Sequence, residues 1–306
     1  MHVDRIGVHE SVRAVCPPEA LAEHLRDLGA DATVVGDDVS AVDAVAAFGH
    51  ADAFLGLEWV HCVRAGYDEF PLDAYRESGT ALTNSSGIHG AAVGETALGV
   101  MLSLARRLHT ARDAQAEREW AQPAWDESFT LTDERLTVVG LGAVGRGLAR
   151  RADGIGMRVD GVRRTPTPTP HTREIYTPDR LHDAVADARF VALAVPLTDD
   201  TAGMVDRSVF EAMRDDAYLV NVARGGVVET DALVAALDAG DIAGAGLDVF
   251  EREPLPEDSP LWEYEDVVVT PHSGALKRDY YRDVAALVRQ NALHAAADEE
   301  LVNRVV

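Results

Sequence analysis

The sequence predicts an α/β protein of two domains, each built around a parallel β-sheet. Two observations lead to this prediction. The chain has 306 residues, which is more than one compact core usually takes. Short apolar runs also alternate with helical patterns twice, once in the first 90 residues and again over residues 136–271. Alternating strands and helices are typical of parallel sheets, so we expect one sheet in each domain.

The elements of the first alternation can be assigned in chain order. IGVH at residues 6–9 is a short strand, and PPEALAEHLRDLG is a helix that proline starts and Gly29 stops. ATVVG follows as a second strand. ADAFLGLEWVHCVRAG then contains two more apolar runs separated by a short polar step.

A helix and a polar segment separate the two alternations. Residues 91–109 carry apolar side chains at helical spacing and predict one long helix. Residues 112–133 are polar, contain tryptophan and lack strong periodicity. The second alternation starts at LTVVG, and residues 277–297 are again helical. The repeat TPTPTP predicts a stiff extended loop.

The charge balance limits the partners of this protein. Lys and Arg total 28 against 52 Asp and Glu, which gives a net charge of −24. Nucleic acids and anionic membranes repel such a surface, so neither is an expected partner. Lys277 is the only lysine. A carboxylate-rich chain almost without lysine suggests adaptation to molar salt, where the Debye length is about 3 Å; the alternative is an ordinary, somewhat acidic enzyme.

The sequence also predicts a soluble cytoplasmic protein. Cys16 and Cys62 are the only cysteines and form neither a CxxC motif nor a disulfide framework. The N-terminal MHVDRIGVHE lacks the apolar core of a signal peptide. No apolar run approaches the roughly 20 residues that span a bilayer.

The segment LTVVGLGAVGRGLARRADG places Gly140, Gly142 and Gly145 between an apolar strand and a helix. Glycines also end strands for reasons of packing, but this context favours a dinucleotide-binding loop. Gly140 permits the tight turn, Gly142 lets the backbone approach a pyrophosphate, and Gly145 allows the helix to pack close to the strand. The phosphates would lie at the positive end of the helix, beside Ala143 and Val144. The sequence therefore predicts a Rossmann domain.

The end of the second strand of this unit predicts which dinucleotide binds. An acid normally stands there and hydrogen-bonds the adenine-ribose 2′-hydroxyl. Arg163 occupies that position, 18 residues after Gly145. An arginine can instead bind a 2′-phosphate, and Arg164 and Thr165 are placed to join it. We therefore predict NADP (as NADPH), with NAD as the less favoured cofactor; the alternative is a pair of solvated loop arginines.

Three later stretches each carry one charged or titratable residue at a strand end or in a loop. They are NVARGGVVE with Arg224, LDVFEREPLP with Glu253, and VVVTPHSGA with His272. Alone, each has a plain structural explanation. Together, and after a Gly-rich loop, they resemble the D-2-hydroxyacid dehydrogenase family, whose motifs are an arginine before Gly-Gly, a glutamate before Pro, and a Pro-His. The resemblance runs from about Val60 to the end of the chain.

This resemblance implies hydride transfer between the cofactor and the carbonyl carbon of a small 2-keto acid. His272 matches the family's acid/base, which exchanges a proton with the keto oxygen. Glu253 would hydrogen-bond the other imidazole nitrogen, fixing its tautomer and stabilising the protonated ring. Arg224 would bind the substrate carboxylate and polarise the keto oxygen. The family also binds the carboxylate through backbone N–H groups of a first-domain loop, where Ala65 and Gly66 match.

The resemblance further implies a set of cofactor contacts. LAVPLTDDT resembles the segment along the adenine and nicotinamide side, and Asp248 matches the acid that accepts from the nicotinamide carboxamide. The further contacts implied are Val195, Pro196, Thr201, Ala223, Asp248, Ser273 and Gly274. Each could also be an ordinary loop residue. His61 and His89 are interpreted as structural, and no metal site is predicted.

These motifs predict the domain order. Residues 1–90 and 277–306 would form a flavodoxin-like substrate domain, with residues 91–276 inserted as the Rossmann domain and the active site in the cleft between the two. The helix at 91–109 and the Trp-containing arm at 120–131 lack an obvious partner in either domain. Equivalent segments of relatives wrap a two-fold mate, so we expect a homodimer.

Two other functions stay open. Corepressor-like scaffolds keep this fold and triad but use the dinucleotide to assemble partners, and a phosphite-type dehydrogenase acts on a non-carbonyl substrate. The sequence does not name the keto acid. Its pocket is expected from loops near Glu10, Glu58 with Trp59, and Tyr280 with Tyr281, whose aromatic rings favour an aliphatic side chain.

Overall fold

The structure is a computed structural model that describes residues 3–306. The described chain forms two compact units. The first contains the residues up to His89 together with Leu276–Val306, and the second is Gly90–Ala275. Within residues 3–306 no helix is long and apolar enough to cross a membrane.

The first unit is built on a five-stranded parallel sheet with the flavodoxin-like order β2-β1-β3-β4-β5. The strands are β1 (Arg5–His9), β2 (Asp31–Val35), β3 (Ala44–Ala47), β4 (Trp59–Cys62) and β5 (Ala81–Asn84). Every residue of β3, β4 and β5 is buried. Burial on both faces is typical of parallel strands, because crossover segments cover the two sides.

The helices of this unit are α1 (Pro18–Asp27), α2 (Leu72–Ser78) and the C-terminal α9 (Tyr280–Ala296). Proline lies at the first position of α1, where its missing N–H costs nothing, and Gly29 follows the helix with φ +82°. Leu21 and Leu25 of α1 share one hydrophobic core with α9. Tyr75 of α2 belongs to a second core on the other side of the sheet.

The second unit contains seven parallel strands in the order β12-β11-β10-β9-β6-β7-β8. The strands are β6 (Arg135–Val139), β7 (Arg158–Val162), β8 (Ile175–Tyr176), β9 (Phe190–Leu193), β10 (Tyr218–Asn221), β11 (Gly244–Leu247) and β12 (Val267–Val269). The chain runs outward from β6 to β8 on one side and from β9 to β12 on the other. This is the Rossmann order, and its topological switch point lies between β6 and β9.

Helices cover both faces of this sheet, over two separate hydrophobic cores. They are α3 (Gly90–Ala105), α4 (Leu108–Ala116), α5 (Ala143–Gly154), α6 (Leu181–Val185), α7 (Arg207–Ala212) and α8 (Thr230–Ala239). Helices α3 and α5 pack backbone against backbone. A Cβ added to Gly94 would lie 2.9 Å from the carbonyl carbon of Gly147, and one added to Gly147 would overlap the oxygen of Gly90. The predicted fold class, a Rossmann domain inserted in a flavodoxin-like domain, is confirmed.

The single helix predicted over residues 91–109 is wrong, because α3 ends at Ala105 and α4 starts at Leu108. Arg107 between them has a left-handed backbone with φ +52°. Its guanidinium forms ion pairs with Asp266 and Glu265, so contacts distant in sequence stabilise the break.

The two apolar runs after β2 take different conformations. In ADAFLGLEWVHCVRAG only the second run is a strand, and the first forms a 3-10 turn at Asp52–Phe54. The strand that pairs with β1 and β4 is Ala44–Ala47. Alanine is depleted in strands, so this segment carried little strand signal, and burial inside the sheet decides its conformation.

Candidate active site

The Gly-rich loop follows β6 at the carboxyl edge of the second sheet. Gly140 has φ +97°, and a Cβ there would lie 2.5 Å from the oxygen of Ala194 in the loop after β9. A Cβ on Gly145 would overlap the oxygen of Gly140. Glycine is therefore required at both positions by the turn and by the close packing of α5.

Gly142 is different, because no protein atom accounts for its lack of a side chain. It is the N-cap of α5 with φ −70°, and a Cβ there would meet nothing within 4 Å. The next residues, Ala143 and Val144, begin the helix, and first-turn amide groups have no partner inside a helix. A glycine with space in front of a helix N-terminus fits a pyrophosphate, which needs close approach to the backbone. The residues present thus fit a dinucleotide.

Arg163 directly follows β7 at the same edge. Its side chain is half-buried, and its Nη1 donates to Oγ1 of Thr169 at 3.3 Å. Thr169 itself is buried within the Thr-Pro repeat. Arg164 and Thr165 are exposed. The loop thus orients Arg163 and presents its two neighbours to solvent.

The loop after β9 carries the next three predicted contacts. Oγ1 of Thr201 donates to the carbonyl of Pro196 at 2.6 Å, which closes the loop on itself. Val195 lies against Gly140, since a Cβ there would be 2.7 Å from its Cγ1. The loop continues to Gly203, whose N–H donates to the carbonyl of Gly226 at 2.9 Å. The structure therefore brings this loop to both the Gly-rich turn and the segment that follows Arg224.

His272 and Glu253 are in direct contact. Nδ1 of His272 lies 2.7 Å from Oε2 of Glu253, while Oε1 of Glu253 accepts from the N–H of Phe250 at 3.0 Å. Both side chains are partly exposed, at 50% for the histidine and 36% for the glutamate. The His272 backbone is left-handed, with φ +49°. The pairing orients the imidazole so that Nε2 is the nitrogen turned away from the carboxylate.

Arg224 lies in the turn after β10. A Cβ on Gly225 would overlap the backbone of Phe250, so this turn packs against the segment that also binds Glu253. Nη1 of Arg224 donates to the carbonyl of Ala223 at 2.8 Å. The amide of Asn221 donates to the carbonyl of Arg224 at 3.1 Å. Arg224 and Glu253 are thus placed by neighbouring backbone segments.

Asp248 has a role that the sequence analysis missed. It is buried after β11, and its carboxylate accepts from Oγ1 of Thr270 at 2.6 Å and from the N–H groups of Ser273 at 2.9 Å and Gly274 at 3.0 Å. The N–H of His272 donates to its carbonyl at 2.8 Å. Asp248 therefore holds the whole loop that carries His272. Its contact with the nicotinamide carboxamide stays a prediction.

Asn221 is a second residue that was missed. Its Oδ1 accepts from the N–H of Ala223 at 3.0 Å, and its carbonyl accepts from the N–H of Asp248 at 3.0 Å. The first contact is an Asx turn, and an asparagine two residues before a loop bend is a recognisable signal for one. Asn221 joins the turn of Arg224 to the residue that holds the His272 loop.

Ala65 and Gly66 belong to the first unit, after β4. The amide of Asn84 donates to the carbonyl of Ala65 at 2.7 Å, and Sγ of Cys62 lies 3.4 Å from the carbonyl of Gly66. His61 in β4 is buried, with its two nitrogens 2.8 Å from Oγ1 of Thr83 and 3.0 Å from Oγ of Ser85. Burial lowers the pKa of His61 to about 3, which agrees with a structural role.

The expected substrate pocket needs correction. Glu58 and Trp59 lie at the amino end of β4, whereas the loop with Ala65 and Gly66 follows its carboxyl end. Trp59 is 1% exposed and donates to Oγ1 of Thr83. Tyr280 is 3% exposed, so it packs beneath the surface. The rings of Trp59 and Tyr280 are therefore too deeply buried to line an open pocket, and they give no reason to favour an aliphatic substrate. The contribution of Glu10 and of the half-buried Tyr281 stays a prediction.

A Rossmann unit with a Gly-rich turn, and with Arg224, Glu253 and His272 after neighbouring strands, defines a dinucleotide-dependent α/β protein. Residues 98–274 match the family described as "D-isomer specific 2-hydroxyacid dehydrogenase, NAD binding domain". The chain belongs to this family of NAD(P)-dependent oxidoreductases, which act on CH–OH groups.

Individual relatives agree with this assignment. Glyoxylate/hydroxypyruvate reductase B of Yersinia pestis is 35% identical over 236 residues, which cover 76% of this chain and 72% of that protein. Among solved structures, a D-isomer specific 2-hydroxyacid dehydrogenase from Xanthobacter autotrophicus in complex with NADPH and MES is 29% identical, with a TM-score of 0.82 and 98% of each chain covered. A family protein from Aeromonas salmonicida is 28% identical, with a TM-score of 0.85 and 99% of each chain covered.

Proposed function

We propose that this protein reduces a small 2-keto acid to the D-2-hydroxy acid with NADPH as the preferred cofactor, and catalyses the reverse oxidation. The contact between His272 and Glu253 carries this proposal. A histidine held by a carboxylate through one nitrogen is an acid/base whose other nitrogen is oriented for proton transfer. We assign cofactor binding to the second unit and part of substrate binding to the loop of Ala65 and Gly66 in the first.

Each residue then has a defined task. The N-terminus of α5 at Gly142 would hold NADPH, which would supply the hydride for the carbonyl carbon. His272 donates a proton from Nε2 to the keto oxygen, and Glu253 stabilises the imidazolium before that transfer. Arg224 binds the carboxylate and polarises the keto oxygen through its planar guanidinium. In the oxidative direction His272 is neutral and removes the hydroxyl proton.

Turnover of 2-keto acids tests the proposal directly. Oxidation of NADPH should be followed with glyoxylate, hydroxypyruvate, pyruvate and longer 2-keto acids; the first two come from the name of the Yersinia relative. Phosphite with NADP tests for a non-carbonyl dehydrogenase. Binding of NADPH without turnover of any acid would instead support the scaffold function.

His272→Asn is the variant that tests the acid/base. Asparagine tolerates the left-handed backbone that His272 adopts, whereas alanine adds strain there. The variant should lose most of its turnover, by about a hundredfold or more, while its Kd for NADPH stays unchanged. Retention of turnover would remove His272 from the proposed role.

The preference for NADPH rests on Arg163. The residue that follows β7 is a cation, and exposed Arg164 and Thr165 can join it at a 2′-phosphate. The Xanthobacter relative is described as a complex with NADPH. The first charged contact would be pre-oriented, because Thr169 already holds the guanidinium.

We also propose a homodimer. Trp120 and Trp125 are 94% and 93% exposed, and Leu108 at the start of α4 is 55% exposed. Such side chains in one segment are typical of an interaction surface rather than of a monomer's outer face. Light scattering should give the mass of two chains, and Trp120→Gln with Trp125→Gln should shift the mass towards one.

The charge composition supports a protein that works in concentrated salt. Its net charge of −24 destabilises the compact state by self-repulsion, which ions screen. The Tm should therefore rise when KCl is increased from about 0.1 M to molar concentration. An equal osmolality of sucrose is the control, and equal effects of both solutes would contradict adaptation to salt.

A further inference from the structure

Four consecutive carbonyl groups of the loop after β4 are each bound by a group within the first unit. The carbonyl of Val63 accepts from the hydroxyl of Tyr280, and that of Arg64 accepts from the N–H of Ser85 at 2.9 Å. The carbonyl of Ala65 accepts from the amide of Asn84, and the carbonyl of Gly66 lies 3.4 Å from Sγ of Cys62. The direction of every peptide plane from residue 63 to residue 66 is therefore fixed.

The geometry of the peptide bond relates the direction of each N–H group in the loop to that of the preceding carbonyl. In a planar trans peptide, the N–H of one residue points away from the C=O of the residue before it. Since the carbonyls of Arg64 and Ala65 are bound by the unit itself, the N–H groups of Ala65 and Gly66 point away from those partners. The N–H of Arg64 faces the buried thiol of Cys62. Two successive backbone N–H groups such as those of Ala65 and Gly66 can together bind an anion.

Tyr280 is the long-range member of this set. It is the first residue of α9, and its hydroxyl also lies 2.8 Å from Nε2 of His89. A tyrosine hydroxyl has one hydrogen, which goes to the Val63 carbonyl because that group can only accept. The hydroxyl must then accept from His89, which requires the tautomer with hydrogen on Nε2. The two rings lie 5.7 Å apart and both side chains are buried.

We propose that Tyr280 and His89 are positioning residues for binding of the substrate carboxylate, because they fix the first carbonyl of the loop that presents these amides. This inference rests on the proposed function of the loop. Neither side chain touches the carboxylate. Both act through the orientation of the peptide between Val63 and Arg64, so they should affect binding of the 2-keto acid and leave cofactor binding alone.

Tyr280→Phe tests the inference, because it removes one oxygen. The KM for the 2-keto acid should rise about tenfold, the order expected for one buried hydrogen bond, with a smaller change in kcat and an unchanged Kd for NADPH. Tyr75→Phe is the matched control. Tyr75 is also buried with its hydroxyl against a histidine, His50, at 3.1 Å, but that hydroxyl binds none of the carbonyls of residues 63–66. Equal changes in KM for both variants would overturn the inference.

His89 supplies the second pair of variants. Gln carries an N–H that can donate to Tyr280, so His89→Gln should keep most of the affinity for the substrate. His89→Leu cannot donate and should raise the KM as Tyr280→Phe does. If Tyr280→Phe fails to fold, the two His89 variants still test the proposal. Equal KM values for His89→Gln and His89→Leu would contradict it.

Hydrogen exchange gives a readout that does not depend on activity. Tyr280→Phe should speed amide exchange at residues 64–66 relative to the wild type, and Tyr75→Phe should not. If the wild type reduces no 2-keto acid, the proposed function fails while faster exchange still supports the positioning of the loop. Unchanged exchange at residues 64–66 would overturn the inference even in an active enzyme.

Discussion

Nδ1 of His272 lies 2.7 Å from Oε2 of Glu253, across 19 residues of sequence. The contact leaves one nitrogen of the imidazole for chemistry and stabilises the ring when it is protonated. Asp248 holds the loop of His272 and Phe250 holds Glu253, so the backbone determines the contact from both sides. Reduction needs the protonated ring, and oxidation needs the neutral one.

Glu253→Gln should therefore shift the pH profile of reduction to lower pH. Gln can still hydrogen-bond Nδ1, but it lacks the charge that stabilises the imidazolium. Reduction requires the proton on Nε2, so the variant should lose reductive turnover relative to the wild type as the pH rises. The kcat/KM of the wild type and of Glu253→Gln, measured across pH, would show the shift. Superimposed profiles would remove Glu253 from this role.

Gly142 and Gly145 should respond to alanine in opposite ways. Gly142→Ala introduces a Cβ that meets no protein atom, so the Tm should stay the same while the Kd for NADPH rises tenfold or more, on the order of a lost phosphate contact. Gly145→Ala forces a methyl group into the oxygen of Gly140 and should cost about 2–4 kcal/mol of unfolding free energy. Urea denaturation and NADPH titration separate the two. Loss of stability in Gly142→Ala would mean that its glycine serves packing.

His61 should make stability depend on pH. Burial lowers its pKa from 6.5 to about 3 in the folded protein, so only the unfolded chain binds a proton between these values. Unfolding free energy is then fully retained above pH 6.5 and falls as the pH drops towards 3. Between about pH 7 and about pH 5 the wild type should lose about 2 kcal/mol more than His61→Gln. Urea denaturation at both pH values measures this, and equal losses would contradict it.

The features that the sequence predicted well are those whose physical cause is local. Gly140 is needed for its own φ of +97°, and Gly145 faces an oxygen five residues earlier in the chain, so a short segment contains the whole reason for the motif. The parallel pairing in both sheets follows from the alternation of strands and helices, which is also readable from short segments.

Other features depend on partners far away in sequence. The helix over residues 91–109 breaks at Arg107, whose guanidinium pairs with Asp266, 159 residues later. The role of Asp248 becomes visible only when Thr270 and Ser273 are brought to its carboxylate. For Trp59, the sequence pattern predicted a strand but did not show that this residue lies at the amino end of it, away from the carboxyl ends where ligands bind. Such relationships arise only when the folded chain brings distant segments together.

Arg163→Asp should reverse the cofactor preference. The wild type should favour NADPH over NADH in kcat/KM, because Arg163 is held at the end of β7 by Thr169 and no acid in residues 163–165 repels a 2′-phosphate. The variant loses a cation and gains an acceptor for the ribose hydroxyl. NADPH should lose about 1.5–3 kcal/mol, or roughly ten- to hundredfold in kcat/KM, and NADH far less. Arg173→Asp is the control, since it changes the net charge equally. Arg173 precedes β8 and so lies towards the amino ends of the strands, whereas Arg163 follows the carboxyl end of β7. Equal use of both cofactors by the wild type, with the same response to both variants, would reduce Arg163 to a surface residue.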